Sequence, residues 1–175
     1  MHRNTWNYGV RSAVGTGEGR TVGTSVTVIV PTFNERENVA ELVARTAVAL
    51  AGYDAEILFV DDSTDSTAAE VERVAADAPL PVRVIHRTDN TGGLGGAVAV
   101  GLEAAASDLC IVMDGDLQHP PELLPALVRR HDEGDADVVA ASRYIGGGDM
   151  SGLGTAVRFG VSRSATWLTR AMFPI

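Results

Sequence analysis

The chain has no lysine: all 14 of its basic residues are arginines. Cysteine occurs once, as Cys110, which excludes an internal disulfide. Its place in the apolar run Leu109-Cys110-Ile111-Val112-Met113 predicts a buried, inert thiol. No run approaches the roughly 18 apolar residues of a transmembrane helix, so membrane contact is expected to be peripheral. Residues 1–25 lack an apolar core, and a secretory signal is not expected there. Net charge is −9, unevenly placed. Residues 154–175 carry Arg158, Arg163 and Arg170 with no acid, so this +3 leaves −12 on the remainder. That balance argues against general nucleic-acid binding and for a basic C-terminal patch.

What is present is a globular pattern. With 175 residues and 45% hydrophobic content, the chain suits one domain with a real core. Residues 1–24, rich in Gly, Thr, Ser and Arg without periodicity, read as a mobile tail. Val26-Thr27-Val28-Ile29-Val30 is a β-branched strand stopped by Pro31. A helical face of Val39, Leu42, Val43, Ala47 and Leu50 follows, with Asn34 as its expected cap and Gly52 as its end. Ile57-Leu58-Phe59-Val60 is a second strand ending in Asp61 and Asp62. Ser63, Thr64 and Asp65 should then cap a helix over about 66–77 with Ala68, Val71, Val74 and Ala75 inward. Val82–Ile85 makes a third strand, and Gly92-Gly93-Leu94-Gly95-Gly96 leads into a helix ending near Ala106. The cysteine-bearing run is the fourth strand. A helix after Pro121 places Leu123, Leu124, Leu127 and Val128 at helical spacing, and 136–141 reads as strand five. Strand and helix thus alternate with connections too long for hairpins. The expected fold is α/β, a mostly parallel sheet covered by helices on both faces. The last segment, 154–175, reads as an amphipathic, membrane-proximal helix, or equally as an ordinary packed one.

The chemistry concentrates at Asp114-Gly115-Asp116-Leu117-Gln118-His119-Pro120-Pro121, directly after the fourth strand. Ligands of open α/β sheets bind outside the carboxyl ends of strands. Asp114, Asp116 and Gln118 alternate, so in an extended chain they offer hard oxygens to one side, suited to Mg2+ or Mn2+. Glu35 follows the first strand, and Asp61 and Asp62 the second, so three strand ends carry acid. Carboxylates gathered at one sheet edge repel each other unless a cation or hydrogen-bond donors sit among them.

Four ordered segments carry a resemblance: Val30-Pro31-Thr32-Phe33-Asn34-Glu35-Arg36-Glu37-Asn38, Phe59-Val60-Asp61-Asp62-Ser63-Thr64-Asp65, the Asp114–Pro121 stretch and Ser142-Arg143-Tyr144. Together they resemble the inverting family 2 glycosyltransferases of the dolichyl-phosphate mannose synthase type, which load a sugar onto a polyprenyl phosphate. The resemblance implies a GT-A (Rossmann-like) catalytic domain over 25–153. It also implies a nucleotide-sugar donor, GDP-mannose or UDP-glucose, and action on the cytoplasmic face of a membrane. Carried over, Pro31, Glu35, Asp61 and Asp114 bind the nucleotide sugar; Asp114, Asp116 and Gln118 hold the metal; Arg143, Arg158 and Ser162 hold the acceptor phosphate. Asp114, Asp116 and Arg143 are then the catalytic set.

The sequence departs from that pattern in three places. Asp62 is followed directly by Ser63, without the glycine many relatives have between them. The Gly-rich turn 92–96 contains no basic residue, which some relatives have nearby. The chain also ends at Ile175, ahead of a Ser-Gly-Phe segment and, in many relatives, membrane helices, so a catalytic-domain fragment or truncated product is expected. Transfer to a hydroxyl acceptor, or an inactive nucleotide-sugar-binding fragment, are the alternative readings. A dinucleotide-binding module is disfavoured because Val98 occupies the third glycine position of that fingerprint.

Overall fold

A computed structural model describes residues 24–133 and 137–141. Four strands, β1 (Val26–Thr32), β2 (Ala55–Asp61), β3 (Val82–His86) and β4 (Leu109–Val112), form one sheet in the order β3-β2-β1-β4. All neighbours are parallel, with Val28 beside Ile57 on one side and Ile111 on the other. The helices are α1 (Arg36–Ala49), α2 (Thr67–Ala75), α3 (Gly93–Ala104) and α4 (Leu124–Asp132), the last preceded by a 3-10 turn, Pro121–Leu123.

The period of two in β1 and β2 serves two cores. Val26, Val28, Val30, Ile57 and Phe59 pack with the apolar residues of α1, α2 and α4. Ile29, Leu58 and Val60 pack with Ala97 of α3 on the other face. Every residue of β1 is buried, which is why it reads as a continuous apolar run rather than an alternating one. Burying each such side chain contributes about 1.5–3 kcal/mol before entropy is charged. The expected inward face of α1 is buried in full, from Val39 to Leu50. Leu50 closes that helix by donating to Thr46 O at 2.9 Å, and Gly52, at φ +90°, turns the chain towards β2.

Several expectations change. Asn34 does not cap α1: Glu35 occupies the N-cap position, and the Asn34 side chain serves another loop. Ser66 occupies the N-cap position of α2 without a side-chain bond, and Asp65, one residue earlier, accepts on Oδ1 from the Thr67 N–H at 2.9 Å and hydroxyl at 2.5 Å. The inward face of α2 is narrower than expected: Val71 is fully buried, while Ala68, Val74 and Ala75 are only partly so. The fifth strand does not form over Asp137–Ala141, and Val138 is 83% exposed. An apolar run becomes a strand only where a ladder pairs it, and none of the described strands pairs with this one. Cys110 is half-buried rather than buried; burial, with a smaller push from Glu56, raises its thiol above the usual value. Among the described residues, no helix is long and apolar enough to cross a membrane. All but the last residue of the expected tail over 1–24, and the expected helix over 154–175, lie outside the described residues.

Candidate active site

The strand order changes direction at β1: the chain passes from β1 to β2 and β3 on one side, then returns to β4 on the other. A crevice opens at such a point because the following connections leave to opposite faces. Here it is a cleft of about 330 Å³, walled by Pro31, Thr32, Glu35, Asp62, Asp114 and Asp116. Phe33, Asn90, Gly93 and Leu94 complete its rim. Phe33 and Leu94 are more than half exposed there, a pair of apolar groups beside a carboxylate cluster.

The 114–119 stretch is a turn, not the extended chain that the alternation argument assumed. Leu117 has φ +59°, a conformation a branched side chain rarely adopts, and the Gln118 N–H donates to Asp116 Oδ1 at 2.9 Å. Gln118 is exposed. The curl brings His119 Nδ1 to 3.4 Å from Asp114 Oδ2. One ligand atom each from Asp114, Asp116 and His119 lies within 4.8 Å of the others. His119 was not among the residues singled out by sequence. Gly115 is buried, and a Cβ there would stand 3.1 Å from Thr32 Cγ2, so glycine lets the turn close against the end of β1.

Asp61 lies behind the wall of the cleft rather than on it. It is fully buried and accepts from the Thr32 hydroxyl (2.7 Å) and the Ser63 hydroxyl (2.5 Å), with His86 Nδ1 at 2.8 Å. Its neighbour Asp62 takes the wall position and is gripped on both oxygens by Arg87 Nε (2.6 Å) and Nη2. That carboxylate raises the Arg87 guanidinium above its ordinary value. Arg87 also donates to Thr91 O and Gly93 O, each at 3.1 Å. The Gly-rich turn therefore does have a basic residue, supplied from the end of β3. Asn34, at φ +58°, ties the first two loops together: its Oδ1 accepts from the N–H groups of Thr64 (3.0 Å) and Asp65 (3.3 Å), and its own N–H donates to Ser63 Oγ at 2.7 Å. Asn tolerates that backbone better than most residues.

Residues 27–172 match the family Glycosyl transferase family 2. The chain belongs to this family. It is 45% identical over 126 residues to a dolichol-phosphate mannosyltransferase of Pyrococcus furiosus, covering 71% of this chain and 35% of that protein. It is 39% identical over 120 residues to an undecaprenyl-phosphate 4-deoxy-4-formamido-L-arabinose transferase of Enterobacter sp. (strain 638), covering 67% and 36%. A mannosyltransferase of Pyrobaculum calidifontis in complex with GDP-Man and Mn2+ superposes with a TM-score of 0.55 at 29% identity, covering 63% and 33%. The chain spans about a third of the length of each of these relatives.

The parallel sheet with helices on both faces is the GT-A arrangement of glycosyl transferase family 2. Of the four carboxylates along this family 2 cleft, Asp62 has an arginine partner, Glu35 accepts from Asn38 Nδ2 at 2.5 Å, and Asp114 and Asp116 stand with His119. A compact oxygen-rich donor set fits a divalent cation. Arg143, Arg158 and Ser162, expected at the acceptor phosphate, lie outside the described residues.

Proposed function

We propose that this chain is the donor-binding part of an inverting glycosyltransferase that moves mannose from GDP-mannose to a polyprenyl phosphate. The observation that carries the reading is the cleft itself, where acids from the ends of three strands, Glu35, Asp62, Asp114 and Asp116, line one cavity. Such a cavity is suited to a cation-bound diphosphate and unsuited to a free anion. The relatives' names, which specify mannose, polyprenyl phosphates and GDP-Man with Mn2+, support this choice of donor and acceptor.

Pro31, Glu35 and Asp62 wall the nucleoside end. Asp61, the expected nucleoside ligand, acts from behind by fixing Thr32, Ser63 and His86. Asp114 and Asp116, with Gln118 alongside, would hold Mg2+ or Mn2+, which offsets charge on the departing nucleotide diphosphate when bound. Arg143, Arg158 and Ser162 are assigned to the acceptor phosphate, where guanidinium forks match phosphate oxygens and fix the attacking atom. A phosphate acceptor is already anionic at neutral pH. It attacks the anomeric carbon from the face opposite the leaving group, with inversion, and the site supplies alignment rather than a base. The lipid acceptor puts the protein peripherally on the inner face of a membrane, beside the nucleotide-sugar supply.

The test is calorimetric titration of the 175-residue chain with GDP-mannose and UDP-glucose, each with and without Mn2+. Binding of GDP-mannose that depends on Mn2+ is expected. Preference for UDP-glucose would move the donor to the glucosyl branch, and failure to bind either would overturn the reading.

A further inference from the structure

We infer that Asn34 is a positioning residue for donor binding: its side chain clamps the β1–α1 loop to the β2–α2 loop and so sets the spacing of the cleft residues those loops carry. This rests on the donor reading above and deepens it. Asn34 does not itself line the cleft, while its two chain neighbours, Phe33 and Glu35, do.

Only residues 33–35 separate the end of β1 from the first turn of α1. The chain makes that short connection through a left-handed step at Asn34, φ +58°. Glycine takes such a backbone with least strain, and asparagine merely tolerates it. What asparagine adds is a side-chain oxygen, and that oxygen is heavily used. Oδ1 accepts from the Thr64 N–H at 3.0 Å, the Asp65 N–H at 3.3 Å and the Thr64 hydroxyl at 3.4 Å. The Asn34 N–H runs the same way, donating to Ser63 Oγ at 2.7 Å, and the Ser63 hydroxyl in turn donates to buried Asp61 at 2.5 Å. Every one of these partners lies on the β2–α2 loop or at the end of β2.

Asp62, which walls the cleft, stands between Asp61 and Ser63 and is tied to the same seam, its N–H donating to Thr32 O at 3.0 Å. Phe33 and Glu35 from one loop, and Asp62 from the other, are therefore spaced by bonds that cross between the loops. The bonds to Asn34 Oδ1 are exposed ones, and a single hydrogen bond adds only modestly to stability. Their larger effect is on geometry. A ligand that meets side chains from two loops binds less tightly when it must order those side chains itself. Phe33 is 58% exposed and has little packing of its own, so the clamped backbone beside it decides where the ring stands.

The experiment compares the 175-residue chain with N34G, which keeps the left-handed backbone and deletes the clamp, and N34D, which keeps an acceptor oxygen on a residue that also tolerates that backbone. Each is checked for folding by circular dichroism. Calorimetry well below Tm then measures Kd for GDP-mannose with Mn2+, or for UDP-glucose if the unaltered chain prefers it. Freeing two cleft side chains should weaken donor binding about ten-fold or more in N34G, while N34D stays within about three-fold of the unaltered chain. Amide hydrogen exchange supplies a readout without ligand: the Thr64 and Asp65 amides should exchange at least about ten-fold faster in N34G but not in N34D. An unchanged Kd in N34G, with or without a lower Tm, would make the clamp merely structural and overturn the inference. So would an N34D that binds as weakly as N34G, or unchanged exchange at both amides. If the unaltered chain binds neither nucleotide sugar, the donor reading itself falls and the inference falls with it, whatever the exchange shows.

Discussion

Two glycines on one helix should respond to the same substitution with opposite signs. Gly95 and Gly101 both lie in α3, and in each case alanine removes the entropic penalty of glycine, about 0.8–1 kcal/mol within a helix. At Gly95 an added Cβ meets nothing within 4 Å. Position in the first turn lessens the gain, so G95A should stabilise the fold by about 0.5 kcal/mol. At Gly101 the new methyl would stand 2.4 Å from Ile29 Cγ2 and 3.3 Å from Val60 Cγ2. Both neighbours are fully buried in central strands paired on each side, so neither can swing away. Overpacking of this kind costs about 1–3 kcal/mol, here near the upper end because the contact is 2.4 Å, and the helix gain of about 0.8–1 kcal/mol offsets part, leaving G101A destabilised by up to about 2 kcal/mol. Urea unfolding at 25 °C reads the difference directly. With a slope of about 1–3 kcal/mol per molar, the two variants should separate by roughly 1 M in midpoint at unchanged slope. A G101A midpoint at or above that of the unaltered chain would refute the reasoning, because it would mean α3 lifts off the sheet at no cost.

Arg87 and Asp62 are 11% and 9% exposed, so R87M strands a nearly buried carboxylate and should cost about 3 kcal/mol, a fall in Tm of roughly 6–12 °C at this chain length. R87M combined with D62N should recover part of that loss, and a fall below about 2 °C in the single variant would show the pair to be dispensable. Glu56 is held below its ordinary pKa mainly by its hydrogen bonds to Arg83, with Thr27 helping. Because the folded-state value is depressed, this stabilisation is complete above the ordinary glutamate value of about 4.3 and is lost as pH falls through the lower folded value. E56Q should therefore lower Tm at neutral pH and flatten the acid limb of the Tm profile; identical limbs in the two proteins would assign acid sensitivity elsewhere.

The elements that sequence made legible are those whose side chains face one environment throughout. The seven residues of β1 are all buried, and the inward face of α1 is continuous, so composition and period agree. What escaped depended on contacts between distant segments. Val138 and Val139 have strand character but no ladder, and nothing within 136–141 specifies a partner. Asn34 is a good helix cap by type, yet the backbone amides of Thr64 and Asp65, from the next loop, compete for its oxygen and win. Arg87 looks like a solvated charge at a strand end, and only the return of the Gly-rich turn gives it two carbonyls to hold. The carboxylate cluster was legible because strand ends of a parallel sheet share one edge. His119 was not, since leucine at 117 gives no sign of the left-handed turn that brings the imidazole back.

The central position of β1 bears on how the protein is made. Its first neighbour, β2, follows soon after in the chain, but the partner for its other edge arrives only with Leu109–Val112. During synthesis from the N-terminus, β1 therefore presents an apolar, unpaired edge to solvent for as long as the intervening segments are being added, a condition that invites pairing with other chains. The same late strand delivers Asp114: Met113 N–H bonds to Ile29 O at 3.0 Å, and the acidic turn follows immediately. Completion of the sheet and assembly of the cleft are thus a single event. A nascent chain halted before Leu109 would carry Glu35 and Asp62 but lack the acids of the opposite wall, so an assembled cleft doubles as a certificate that the vulnerable edge has been closed.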